Sequence, residues 1–272
     1  MRTETPTAIY LKDYTSPAWL VDDVDLHVAI HDDHTEVRAR LACRRNPSGT
    51  GGPLVLNGEG LTLQAIRLND APLAPERYAL SDETLTVFGA DAGSLPETFT
   101  LETTVRIQPD KNTQLSGLFR SRDGYFTQCE AQGFRRITYF PDRPDVMARY
   151  VCTVEADRAR FPQLLSNGNL IASGAVAGDA ARHWARWEDP FAKPCYLFAL
   201  VAAKLEVLED RFVTQSGREV RLAVYVEPGK LDQCDHAMAA VKKAMRWDEM
   251  RFGLEMDLDH YMIVAVGDFN MG

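Results

Sequence analysis

No stretch of this sequence approaches the ~20 consecutive apolar residues that a membrane-spanning helix needs. The opening, Met1 to Tyr10, is polar and has no apolar centre, so no signal peptide is expected. Positive charge is not in excess: Lys and Arg number 30 against 39 Asp and Glu, a formal net charge of -9. An acidic chain is a poor partner for nucleic acid, whose phosphates reward clustered Lys and Arg. Paired cysteine motifs are missing too. Cys43, Cys129, Cys152, Cys195 and Cys234 are odd in number and none forms a C-x-x-C. That argues against a disulfide framework and a zinc ribbon. Free thiols without a signal point to the reducing cytoplasm. There is no G-x-S-x-G, no P-loop, no G-x-G-x-x-G, no internal repeat and no low-complexity tract.

What is present is ordinary globular chain: 45% hydrophobic and 25% charged residues over 272 positions, about twice the common length of one domain. Period-2 alternation dominates the first two hundred residues. Val24, Leu26, Val28 and Ile30 alternate with polar neighbours, as do Val37, Ala39, Leu41 and Cys43, around the polar turn His31–Thr35. Such a pattern predicts an antiparallel hairpin with one wet face. Phe99 to Ile107 and Tyr150 to Val154 repeat it. Turn signals separate the runs at Gly49–Pro53, Asn69–Asp70 and Ser166–Asn169. The run Cys195–Ala203 is continuously apolar and reads as a strand covered on both faces or as the inner edge of a domain contact. A boundary is placed near residue 203. Beyond it come two strands, Leu205–Leu208 and Val220–Val226. Leu231, Cys234, Met238, Val241 and Met245 then form one stripe of an amphipathic helix, with Gly253 as its stop. Met262–Val266 reads as a last strand.

Three histidines, His27, His31 and His34, invite a metal reading. A metalloprotease helix needs Glu after the first His, and Val28 stands there. On a strand, four residues span roughly 13 Å, too far for both rings to reach one zinc. They are read as polar-face histidines. Asp142-Arg143-Pro144-Asp145 is read as an Arg ion pair fixing a turn. The segment Tyr125–Arg135 is different. If it is extended, Gln128 and Glu130 share one side and Cys129 the other. A carboxylate beside an amide, flanked by aromatics, suits an ammonium ion: Glu130 as counter-charge and Gln128 as acceptor. The alternative is a solvated polar strand face.

Several long segments, in order, resemble one family. They are Phe126–Arg135 (FTQCEAQGFR), Asp142–Val146 (DRPDV), Leu165–Asn169 (LSNGN), Asp189–Pro194 (DPFAKP), Lys243–Glu249 (KAMRWDE) and Val264–Gly272 (VAVGDFNMG). Together they are similar to peptidase family M1, the thermolysin-like zinc aminopeptidases, and most of all to its bacterial members. The resemblance runs from Tyr10 onward. It implies a mainly β chain: a saddle-like antiparallel β-domain over 1–203, then over 204–272 the truncated beginning of a thermolysin-like α+β catalytic domain, strands plus one helix. It implies that Glu130 binds the substrate's free α-amino group and that Gln128 and Met271 line the pocket for the first side chain. Gly272 would offer backbone contacts to the peptide. The same resemblance places the zinc ligands and catalytic residues beyond residue 272. The chain alone is then expected to hold no metal and to be inactive, with apolar surface exposed after residue 203. The implied whole is a monomeric cytoplasmic enzyme that removes N-terminal residues, basic or apolar, from peptides, with no nucleic-acid or membrane partner. Two other readings stand beside it: a stand-alone β-rich binding module, and a relative with altered chemistry such as an epoxide hydrolase.

Overall fold

The computed structural model describes residues 8, 10–49, 51–90 and 95–267. Strands dominate. The first group is β1 (Trp19–Ile30), β2 (Thr35–Arg45), β3 (Leu54–Asn57), β4 (Thr62–Leu68), β5 (Ala71–Pro72), β6 (Tyr78–Leu80), β7 (Thr84–Val87) and β8 (Thr98–Ile107). The second is β9 (Gly117–Ser121), β10 (Gly124–Gln128), β11 (Met147–Asp157), β12 (Gln163–Ser166), β13 (Asn169–Val176), β14 (Asp179–Pro194) and β15 (Leu200–Ala203). The chain closes with β16 (Glu206–Val213), β17 (Glu219–Val226), helix α1 (Asp235–Phe252) and β18 (His260–Ala265).

The main sheet has eight strands in the order β13-β14-β11-β1-β2-β8-β4-β5. Its inward face is built by the alternation seen in the sequence: Leu26, Val28, Val37, Ala39, Leu41, Leu101 and Val105 are all fully buried. The β1–β2 hairpin is longer than the alternation predicted. A register shift between Val21 and Asp23 moves the phase, so Trp19 and Val21 also point inward. The pairing is antiparallel as expected, with two exceptions. β1 runs parallel to β11, and β17 parallel to β18. A second sheet, β12-β15-β10-β9, packs against the first, and Trp187 on β14 donates from its indole to the Leu164 carbonyl at 2.9 Å to join the two. A small sheet, β3-β7-β6, completes this region.

The apolar run Cys195–Ala203 is not one strand. Cys195–Leu197 forms a 3-10 turn, and only Leu200–Ala203 enters a sheet. The chain then moves to a third sheet, β16-β17-β18, on which α1 packs. Helix α1 starts later than its stripe suggested: Leu231 lies in a preceding 3-10 turn and Cys234 caps the helix. Gly253 ends it with a left-handed backbone (φ 67°), its N–H reaching Glu249 O, a conformation that costs glycine nothing sterically. The helix's inward stripe, Met238, Val241 and Met245, meets Phe212, Val220, Leu222, Val224 and Val226. Its other side leaves Trp247 (54% exposed), Met250 (74%) and Phe252 in water. No described helix is long and apolar enough to cross a membrane.

Candidate functional site

Gln128 is the last residue of β10, a strand anchored on both edges. Gln128 lies opposite Gly117 of β9, and Tyr125 and Phe126 lie opposite Ala202 and Val201 of β15. Thr127 adds a side-chain tie, its hydroxyl accepting the Leu200 N–H at 2.8 Å. Past Gln128 the backbone leaves the strand, so Gln128 and Glu130 are not strand neighbours on one face as an extended segment would make them. Instead the chain turns through 130–133 into a 3-10 turn at Phe134–Arg136. Cys129 does point inward, 3% exposed. The Gln128 amide folds over the turn and donates to the Glu130 carbonyl at 3.3 Å. The Glu130–Ala131 peptide is cis.

The turn is held from beneath. Gly133 N–H donates to Cys129 O at 2.7 Å. A side chain at Gly133 would collide with Gln128 O at 2.4 Å and with the Cys129 Cα at 2.9 Å. Only glycine lets the two strands of the turn approach so closely. Phe134 drives its ring into a buried aromatic cluster, with Phe140 at 5.1 Å, Phe198 at 5.2 Å and Tyr150 at 6.0 Å, all edge-on, the geometry that ring quadrupoles favour. Arg135 donates through Nε to Asp142 Oδ2 at 2.9 Å, and its backbone N–H reaches the same oxygen at 3.2 Å. Arg136 pairs with Glu59, whose own backbone N–H donates to Arg135 O at 3.0 Å. Cys195 donates its thiol to Asp142 Oδ1 at 3.0 Å. Burial first, and the Asp142 charge second, push the Cys195 thiol well up, so it stays protonated and remains a donor. Burial likewise pushes up the Cys129 thiol.

On top of this frame sits the Glu130 side chain, exposed to solvent. It has no hydrogen-bond or ion-pair partner among the described residues. Gln128 and Glu130 thus lie at one turn, linked by the Gln128 amide and the Glu130 backbone carbonyl. Met271 and Gly272 lie outside the described residues.

The Asp142–Asp145 segment holds an Arg ion pair, as read from the sequence. Arg143 turns to Asp145 (2.6 Å) and to Thr15 O (2.8 Å), while Asp142 takes Arg135. His27 faces Glu155 on β11 at 3.3 Å, and His31 and His34 stack at 4.8 Å in the hairpin turn. His34 also contacts Asp33 at 2.6 Å. The five thiols are unpaired and buried.

Residues 21–197 match the family model of the Peptidase M1 N-terminal domain. The chain belongs to the M1 peptidase family. This M1 chain is 50% identical over 272 residues to the Aminopeptidase N of Caulobacter vibrioides, covering all of this chain and 30% of that protein. It is 48% identical over 270 residues to the Aminopeptidase N of Escherichia coli, covering 99% and 30%. It thus spans about 30% of the length of these relatives. Among solved structures, aminopeptidase A of Legionella pneumophila in complex with aspartic acid aligns with a TM-score of 0.86 at 36% identity, over 93% of this chain and 29% of that one. An M1 zinc metallopeptidase of Deinococcus radiodurans aligns at a TM-score of 0.74 and 16% identity, over 92% of this chain and 57% of that one, a likeness of fold.

Zinc is named for some of these M1 relatives. Among the described residues, no group of three or more His, Cys, Asp or Glu side chains is placed to hold a metal ion. The described donors do not fit one, and no catalytic step is assigned to them.

Proposed function

We propose that this chain is the N-terminal part of a longer zinc-dependent aminopeptidase and that its own task is to hold the substrate's N-terminus. In this reading 1–203 is a β-domain and 204–272 the start of the catalytic domain, and the metal ligands and catalytic groups belong to residues outside the chain. Glu130 pairs with the free α-amino group. Gln128 and Met271 bound the pocket for the first side chain, and Gly272 contacts the peptide backbone. The thioether of a methionine, soft and flexible, suits side chains of varied shape.

The observation that carries the reading is the exposed Glu130 carboxylate, without a partner among the described residues, on a turn fixed by buried groups. An α-amino group has a pKa of ~7.7–8.0, so at neutral pH most of it is cationic. A carboxylate anchored at one end of a cleft selects chains that end there and excludes longer ones. The amino group is recognised through its charge, so the partner has to be an anion that does not move away. In the full-length protein, Glu130→Gln should lower kcat/KM for alanyl p-nitroanilide by roughly ten- to a hundredfold, the equivalent of the ~1.5–3 kcal/mol of a hydrogen bond to a charged group. An unchanged kcat/KM would sink the assignment.

A further inference from the structure

Among the described residues nothing bonds to the Glu130 side chain, so its location follows the backbone beneath. That backbone is gripped at one point by a buried carboxylate. The Asp142 side chain is 1% exposed, and both of its oxygens are engaged. Oδ2 accepts the backbone N–H (3.2 Å) and Nε (2.9 Å) of Arg135, five residues after Glu130. Oδ1 accepts the Cys195 thiol at 3.0 Å. The Asp142 N–H donates to Asn57 Oδ1 at 3.1 Å. One residue thereby ties the turn to the end of β3 and to the 3-10 turn after β14. These are three segments far apart in sequence: a strand end at Asn57 and two 3-10 turns, at Phe134–Arg136 and Cys195–Leu197.

Charge is balanced within this frame. Asp142 and Glu59 face Arg135 and Arg136, two negative against two positive. The frame therefore presents no net charge to a ligand above it and acts on Glu130 by position. A buried ion pair is a costly way to stabilise a fold, since well-packed apolar residues do as well or better. What such a pair supplies is a fixed geometry. The grip falls on the turn that carries the exposed Glu130 carboxylate.

We infer that Asp142 is a positioning residue for Glu130: through Arg135 and Cys195 it fixes the turn so that the Glu130 carboxylate stands where an α-amino group arrives. The inference rests on the reading of Glu130 proposed above. Removing one of its oxygens loosens the turn and leaves the Arg135 guanidinium short of a counter-charge beneath the ammonium site. Both effects weaken retention of a cation, and neither touches the rest of the ligand.

The test uses the full-length enzyme and two competitive inhibitors, leucine hydroxamate and 4-methylpentanoyl hydroxamate, which differ only in the α-amino group. The ratio of their inhibition constants measures amino-group recognition alone. Measurements are made well below each variant's unfolding midpoint. Asp142→Asn should cut the preference for the amino compound clearly, by up to the ~10²-fold that a 1 Å misplacement can cost, and leave the deaminated compound within about twofold of wild type. Cys195→Ala and Arg135→Lys should give smaller cuts of the same kind, and they decide the matter if Asp142→Asn does not fold. Stability loss with an unchanged ratio, or equal weakening of both inhibitors, would overturn the inference. A preference that survives Glu130→Gln would remove the reading of Glu130 itself, and the inference with it, whatever Asp142 does.

Discussion

Two hydrophobic cores lie in this one chain, and they are finished to different degrees. The larger joins the eight-stranded sheet, the four-stranded sheet and the aromatic cluster of Phe134, Phe140, Tyr150 and Phe198, nearly all fully buried. The smaller joins α1 to β16, β17 and β18 through a short set of side chains, of which α1 itself buries only Met238 and Glu249. Glu249 is held by the Gln215 N–H (2.9 Å) and by Arg246. Large apolar side chains of α1 and the segment after it, including Met250 and Leu254, stay in water. The candidate site stands on the first core, where every layer under the turn is closed. A recognition group needs such backing, because a carboxylate on a loose loop would lose ordering entropy each time it bound.

The contrast can be broken at its strongest point first. Phe134→Ala empties the centre of the aromatic cluster and should cost ~3–5 kcal/mol. A chemical denaturation midpoint shifted by much less would show that the turn is not seated as described. Met238→Ala cuts into the smaller core. It should cost nearer ~2 kcal/mol, at the low end for such truncations, because one side of the helix is already wet. Hydrogen exchange should speed up over 206–265 and stay slow over β1, β2, β8 and β11. Acceleration in both regions would mean that the two cores unfold as one. Trp247→Ser should do least, within ~0.5 kcal/mol of wild type, as surface changes do. It should lower binding of a hydrophobic dye, because Trp247 is an exposed part of the apolar surface. A large stability loss would mean that Trp247 is packed more closely than its exposed edge-on contact with Phe252.

Much of the larger core was legible as local rhythm. Val24 to Ile30 and Val37 to Cys43 alternate, and they form the hairpin that their alternation predicts. The first part of β1 was hidden because the shift between Val21 and Asp23 breaks the phase there. The parallel pairing of β1 with β11 was not legible at all, since periodicity says which face a strand buries and not which strand lies beside it. The Cys195–Ala203 run misled for a related reason. Its residues are uniformly apolar, so nothing marks the turn at Cys195–Leu197 that aims a thiol at Asp142. At the candidate site, Glu130 and Gln128 stood out by residue type and spacing, but the frame beneath did not. Asn57, Glu59, Arg135, Asp142 and Cys195 meet only in three dimensions. The Arg ion pair expected in Asp142–Asp145 is Arg143 with Asp145, while the partner of Asp142, Arg135, lies seven residues earlier and could not be read from the segment.

The place of β1 in the middle of the main sheet also bears on how the protein is made. Its parallel partner arrives late: Asp23 and Arg149, paired across the two strands, are 126 residues apart. While the chain is being synthesised, β2 covers one edge of β1 and the other waits for β11. At ~5–20 residues per second that wait lasts on the order of seconds. A strand of twelve residues with a bare edge is a template for pairing with any passing chain. The side of β1 turned away from the core carries Asp23, Asp25 and His27, later met by Arg149, Arg186 and Glu155. Before those partners are in place, Asp23 and Asp25 stand charged along the bare edge beside Arg40 of β2, and charged side chains on a waiting edge are one of the devices by which sheets discourage pairing with a stranger.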